Sequence, residues 1–254
     1  MNTTPDLAFG PGTPAHFSHL RAKFVTIVAL GDSITDVNHT TLGCLNWVGL
    51  LGMGLQGADV FPQGYTIINS GNGGDHLTHA LARLDRDVLR FQPDIVIIAY
   101  GMNDCRSSTP EVFGTRLRAV VTRIRAGCNA NGEGGGCSIV LRTPNPMINL
   151  LTGQELHEVP EGNRMIQTDL AAFAKVICEV AAEQDTLCVD HYTRWTHSMR
   201  SSCVGDMIQL MNDPIHPNAQ GHRRFYHELA PVFHAHRNFF FEWQRILRDQ
   251  GETP

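Results

Sequence analysis

The stretch Ile27-Val-Ala-Leu-Gly-Asp-Ser-Ile-Thr35 decides how the chain is read. It closes an apolar run that starts at Phe24, is too short for a helix and breaks at Gly31-Asp32-Ser33, the pattern of a buried strand running into a tight turn. Ser33 is therefore displayed at the carboxyl end of a strand, the edge of an open α/β sheet where ligands bind, and Gly31 lets the backbone bend there. A serine so placed more often caps a helix, so the tripeptide alone assigns nothing.

Three more clusters follow in order, each after an expected strand or near the end of the chain: Asn69-Ser-Gly-Asn-Gly-Gly-Asp75, Gly101-Met-Asn-Asp104 and Asp213-Pro-Ile-His216. A serine hydroxyl is a poor nucleophile until a neighbouring neutral base takes its proton, and imidazole meets that need. Asp213 and His216 lie on one loop stiffened by Pro214 and Pro217, so the carboxylate can hold one ring nitrogen while the other faces Ser33.

The four blocks together resemble the SGNH (GDSL) hydrolase family, and the resemblance spans Phe24 to about His222. It implies a serine esterase acting through an acyl-enzyme intermediate, with Ser33, Asp213 and His216 as the triad and no metal or cofactor. It assigns the oxyanion donors to the Ser33 amide, the Gly74 amide and the Asn103 side chain. Gly73 stands where the family usually carries Ser, so Gly71, Gly73 and Gly74 compete as the block's donor, with Gly74 preferred. Asp32 is a candidate for substrate contact, although Asp32 and Asp104 also suit the binding of local backbone amides.

Around these blocks, strands alternate with helices. Strands are expected at 65–70, 93–100, 138–143 and 186–190. Helices are expected from Leu45, over 76–91, from Pro110 to about Ile124, over 163–184 and from Ala219 to about Arg237. Pro93-Asp-Ile-Val-Ile-Ile-Ala-Tyr100 is apolar on both faces, hence central in a parallel sheet covered by helices. The fold class is α/β: a doubly wound parallel sheet in three α/β/α layers, to which the resemblance adds five strands in the flavodoxin-like order 2-1-3-4-5. Residues 149–160 read as a long loop that lines the site, and 191–212 carry no clear period.

A chain of 254 residues with 42% hydrophobic content can bury one core, so a single domain over 1–254 is expected, with an arm at 1–23 and a tail at 239–254. Phe239-Phe-Phe-Glu-Trp243 in that tail packs on the core or forms a subunit contact in a homo-oligomer. A net charge of -5 gives no general attraction for nucleic acid or anionic lipid. The glycine turn at 71–74 lacks both a Walker lysine and a G-x-G-x-x-G fingerprint, which argues against a nucleotide. Residues 1–23 hold no apolar leader or membrane span, as expected of a soluble cytoplasmic chain and equally of a secreted one already trimmed. The 7 Cys are too sparse for a disulfide framework and show no zinc spacing. Cys128 and Cys137 bracket a glycine-rich loop and could bridge, although spacing does not establish the geometry.

Family membership leaves the substrate open. Thr143-Pro144, Asn163-Arg-Met165 and Val189-Asp190 are similar to acetylxylan-esterase-like members, and Gln154, Glu155, His157, Glu158 and Glu161 make the loop after Asn149 polar. An oligosaccharide or small-molecule ester is therefore preferred, with O-acetyl sugars first and Trp47 or Trp195 as the aromatic wall, unless either is core. A lysophospholipase, thioesterase or broad arylesterase is the runner-up. A non-catalytic carbohydrate-binding protein is the reading from another class, and the intact triad speaks against it.

Overall fold

The computed structural model describes residues 17–37, 41–57, 60–128, 136–161, 164–201 and 204–233. β1 (Val25–Gly31) is the buried run ahead of Ser33. α1 (Trp47–Gly57) follows, capped by Asn46, whose Oδ1 accepts from the amides of Val48 and Gly49 at 3.1 Å each. β2 (Tyr65–Gly71) leads through the glycine turn into α2 (Leu77–Asp87), which is shorter than expected because the chain tightens into a 3-10 turn at Leu89–Phe91 and Gln92 closes it with φ 44°. β3 (Ile95–Ala99) is buried at every position, and α3 (Pro110–Cys128) and β4 (Ser138–Arg142) follow as expected.

The next segment departs from expectation. Residues 158–167 form an antiparallel hairpin, β5 (Glu158–Glu161) with β6 (Arg164–Gln167), in which Val159 pairs with Ile166. The helix expected over 163–184 is therefore corrected to α4 (Leu170–Glu183). Met165 and Ile166 fit a helical period with the residues after them, but Asp169 is a stronger local signal. Its carboxylate accepts from the Ala172 amide at 3.1 Å and starts the helix there.

β7 (Leu187–Val189) is the fifth strand of the main sheet, and the unassigned stretch after it holds α5 (His191–Ser201) and α6 (Val204–Ile208). The sparse apolar residues of α5, Tyr192, Trp195 and Met199, do recur at helical spacing and turn to the core, while Asp190 caps the Thr193 amide at 3.0 Å. The last helix, α7 (Ala219–Leu229), starts at Asn218, whose Oδ1 accepts from Gln220 and Gly221, and gives way to a 3-10 turn at Ala230–Phe233. The rest of the helix expected to about Arg237 lies outside the described residues. So do most of the N-terminal arm, the loop 129–135 and the tail with its aromatic cluster.

The main sheet is parallel, in the order β2-β1-β3-β4-β7. This is the expected five-strand order. α1 and α7 pack together, while α2 meets α3 and α3 meets α4, giving helical layers on the two faces. Among the described residues no helix is long and apolar enough to cross a membrane.

Strand register brings Gly71, Gly31, Ala99, Arg142 and Val189 into one row across the sheet. Each strand hands over to its loop at that line. Gly71 is required there by crowding, since a Cβ would lie 2.3 Å from the Asp36 nitrogen and 2.5 Å from the Thr35 carbonyl carbon, both backbone atoms. Gly71→Ala is expected to cost about 1–3 kcal/mol, the range for forced overpacking. Urea unfolding measures it, and an unchanged midpoint would show that the turn after Ser33 yields freely.

Candidate active site

The row of strand ends places three of the four sequence blocks along one edge, and the loop between α6 and α7 brings the fourth, Asp213 to His216, against it. From β1 the chain turns at once: the Thr35 and Asp36 amides both donate to the Asp32 carbonyl at 3.0 Å, and the Asp32 carboxylate accepts from the Ile34 amide at 3.0 Å. That turn holds Ser33 at the rim, with its Oγ 2.9 Å from His216 Nε2. His216 Nδ1 lies 2.7 Å from Asp213 Oδ2.

The loop carrying Asp213 and His216 is fixed from several sides. Asp213 Oδ1 accepts from the amides of Ile215 and His216, at 2.8 Å each. Ile148 donates its amide to the Pro214 carbonyl and Asn145 its side-chain amide to Ile215, tying the loop to the segment after β4. Partial burial pushes the Asp213 carboxyl up, but the amides of His216 and Ile215 together with the imidazole outweigh it and hold it below the usual carboxylate range. An anionic Asp213 fixes the ring and its tautomer, leaving Nε2 able to take the Ser33 proton.

On the other side of Ser33 the glycine turn is pinned by the Asn72 amide on the Gly31 carbonyl and by the Asp75 amide on that of Asn72. Gly74 has φ 72°, a backbone state that suits glycine, and is exposed. Among the described residues the amides of Ser33 and Gly74 have no hydrogen-bond partner. Asn103 spends one side-chain N–H on the Asp75 carbonyl at 2.9 Å, which orients the amide and leaves its second N–H available. Asp104 accepts from the Leu77 and Gly101 amides, joining the turn after β3 to the start of α2.

Two arginines that hold this edge, one part-buried and one buried, are not evident in the sequence. Arg83 of α2 gives Nε to Asp75 Oδ2 at 2.7 Å, and its Nη2 reaches the carbonyls of Gly31 and Ser70 and the Tyr100 hydroxyl. One guanidinium thus binds the ends of β1 and β2 and the carboxylate behind the glycine turn. Its signal was an arginine in the first polar helix after a block, which reads as a solvated face. Arg142 ends β4, is 2% exposed and lies between the rings of Trp47 and Phe225, at 4.7 and 4.0 Å. Its Nε and Nη1 have no partner among the described residues. A cavity of about 10 Å³, room for about one water, lies beside it and is lined by Asp32, Ile34, Ala99, Tyr100, Thr143 and Pro144.

Two substrate-contact candidates need correction. Trp47 and Trp195 are each 0% exposed, the first against Arg142 and the second against Phe225 and Arg224. A wall must present a face to the ligand, and these rings are spent on core packing. Asp32 is 3% exposed, and its carboxylate accepts from the Ile34 amide and so shapes the turn under Ser33. Among the described residues no group of three His, Cys, Asp or Glu side chains is arranged to hold a metal ion.

Residues 29–224 match the GDSL-like lipase/acylhydrolase family. An acetylxylan esterase of Geobacillus stearothermophilus is 26% identical over 230 residues, which cover 86% of this chain and 95% of that one. A crystal structure of an acetylxylan esterase from the same organism superimposes with a TM-score of 0.64 at 20% identity, covering 84% of this chain and 95% of that chain. A lipase/acylhydrolase from Enterococcus faecalis does so with 0.59 at 23%, covering 83% and 94%.

Burial pushes the Asp32 carboxyl up from 3.8 to about 7, against the opposing pull of the Ile34 amide and Arg142. The native state thus keeps a proton that the unfolded chain releases near pH 3.8, so this contribution to stability is complete below that value and is lost as pH rises towards about 7. Asp32→Asn keeps the acceptor for Ile34 and removes the titration. Between pH 4.5 and 7.5 the variant is expected to lose less stability than the wild type in urea unfolding. Equal losses would place the charged form of Asp32 at no disadvantage in the fold.

Proposed function

The chain belongs to the GDSL-like lipase/acylhydrolase family, and from that premise we propose that it is a serine esterase that removes O-acetyl groups from carbohydrates. The observation that carries the reading is the continuous relay from Ser33 Oγ through His216 to Asp213, at 2.9 and 2.7 Å. Ser33 attacks the ester carbonyl as His216 Nε2 takes its proton, and the sugar hydroxyl leaves with that proton. Water then cleaves the acetyl-enzyme by the same route in reverse. The amides of Ser33 and Gly74 and the free N–H of Asn103 receive the charge that develops on the carbonyl oxygen.

The choice of a sugar acetate rests on two supports. The acetylxylan esterase relative covers most of both chains. The loop after β4, tied through Ile148 to the carbonyl of Pro214, exposes Gln154, His157 and Glu158, groups that suit hydroxyl-rich substrates. With both tryptophans in the core, the aromatic rim falls to His76 and His79. They follow Gly74 and stack at 3.8 Å, with His79 exposed. Long acyl esters are the rival because Val37, Leu42 and Leu45 stand 58%, 93% and 46% exposed on the segment after Ser33. Isolated exposed side chains do not enclose a chain, and only enclosure yields about 0.8 kcal/mol per methylene.

Ser33→Ala is expected to abolish ester hydrolysis while leaving the fold intact, and wild-type turnover by that variant would refute the nucleophile. Asn103→Ala should lower kcat about 10²- to 10³-fold with a smaller change in KM, as for a donor engaged mainly in the transition state. A change confined to KM would make Asn103 a binding residue. For the substrate, p-nitrophenyl esters from acetate to octanoate are compared with acetylated xylooligosaccharides. Acetate release from the sugars, with kcat/KM falling along the ester series, is the expected result. A rise with chain length and no release from the sugars would assign the site to long acyl esters.

A further inference from the structure

Two pairs of free thiols face one another, Cys128 with Cys137 at the ends of the glycine-rich loop and Cys178 with Cys188, and in the second both members are partly accessible whereas Cys137 is buried. Cys178 of α4 and Cys188 of β7 have their sulfurs 3.4 Å apart, the Cys188 thiol donating to the Cys178 sulfur. The two elements are joined by only three residues, Gln184 to Thr186, with Asp185 at φ 47° making the turn. This tight reversal brings the helix back along the strand and sets the thiols side by side. Both are free and partly accessible, so a small oxidant can approach.

We propose that Cys178 and Cys188 form a redox modification site that closes to a disulfide by exchange with a low-molecular-weight disulfide such as oxidised glutathione. The Cys188 hydrogen bond outweighs burial and holds the Cys178 thiol below its ordinary range, while the same bond and burial push Cys188 up. Cys178 is therefore the attacking thiolate. It bonds to one glutathione sulfur, the glutathione S–S bond breaks and the first glutathione leaves as a thiolate that takes up a proton. Cys188 then loses its proton and attacks the Cys178 sulfur of the mixed disulfide, expelling the second glutathione. Two protein thiols are oxidised by two electrons, and one glutathione disulfide is reduced to two thiols.

The bridge would staple α4 to the strand at the edge of the sheet, which has three residues and whose end carries Asp190, the acceptor of the Thr143 hydroxyl at 3.1 Å. The full chain is incubated natively with oxidised glutathione, quenched with an alkylating agent, digested and mapped by mass spectrometry. The expected product is a peptide linking Cys178 to Cys188, reversed by dithiothreitol, with Tm raised by about 5 °C in the oxidised protein. Cys188→Ser should stop at a glutathione adduct on Cys178. Recovery of both residues alkylated, a persistent glutathione adduct in the wild type, or a bridge from either residue to Cys44, Cys128, Cys137 or Cys203 would overturn the proposal. The wild-type peptide map decides even if the variant does not fold.

Discussion

Parallel strands in one register must all release their chains at the same edge, and every property of this site follows from that constraint. The row Gly71, Gly31, Ala99, Arg142, Val189 is set by backbone hydrogen bonds between strands that are almost wholly apolar. One residue beyond it begin the turn of Ser33, the glycine turn, the turn of Asn103 and the segment at Thr143 that supports the His216 loop. Ser33 and His216, 183 positions apart, meet within hydrogen-bond distance because the sheet ends there and the His216 loop is tied to the segment after β4 through Ile148 and Asn145.

A common edge alone leaves four loops free to move, and the buried polar groups behind it restrict them. Arg83 reaches two strand-end carbonyls, Tyr100 and Asp75, and the carbonyl of Asp75 in turn holds the side chain of Asn103. Asp75 is wholly buried, so losing Arg83 would strand its carboxylate, a penalty of about 3–5 kcal/mol, and the arrangement has few alternatives. Arg142 works differently. Its charge is set against two aromatic faces, and burial lowers its pKa to about 9 despite the opposing influence of Asp32 and Glu228. Both arginines act behind the rim, Arg83 through hydrogen bonds and Arg142 through ring packing, and the proposed reacting groups stand in front of it.

The parts of the fold that were legible in the sequence are those in which a single residue's chemistry is decisive locally. β3 could be placed because five consecutive positions are apolar and buried on both faces. Gly-Asp-Ser and Gly-Met-Asn-Asp could be placed because each couples a turn-forming residue to a strand end, and Asp-Pro-Ile-His because its proline stiffens a short carboxylate-imidazole pair. The hairpin at 158–167 was hidden because four-residue strands with Pro160 and Glu161 hardly alternate, and their pairing is decided across the turn. Trp47 and Trp195 were misplaced for a related reason. A tryptophan's sequence neighbours do not reveal that Arg142 or Phe225 will cover its faces, since those partners come from β4 and α7. The same blindness concealed Arg83 and Arg142, whose meaning depends entirely on what the fold brings against them.

The division between hidden and legible residues also separates positioning from selectivity. The groups proposed to act on the ester carbonyl are held by backbone amides and short local bonds: Asp213 by two amides of its own loop, Asn103 by one carbonyl, Gly74 by its dihedral. Such bonds are indifferent to what lies beyond the ester, and this geometry serves any acyl group that can enter. Selectivity must then come from the exposed perimeter: Val37, Leu42 and Leu45 after β1, His79 after the glycine turn, and Gln154, His157 and Glu158 leading into the hairpin. These residues make few bonds to the scaffold, so they can be exchanged with little cost to stability, whereas an exchange at Arg83 or Gly71 would disturb the edge itself. A change of substrate in this chain is therefore expected to be written in perimeter residues, with the row of strand ends left as it is.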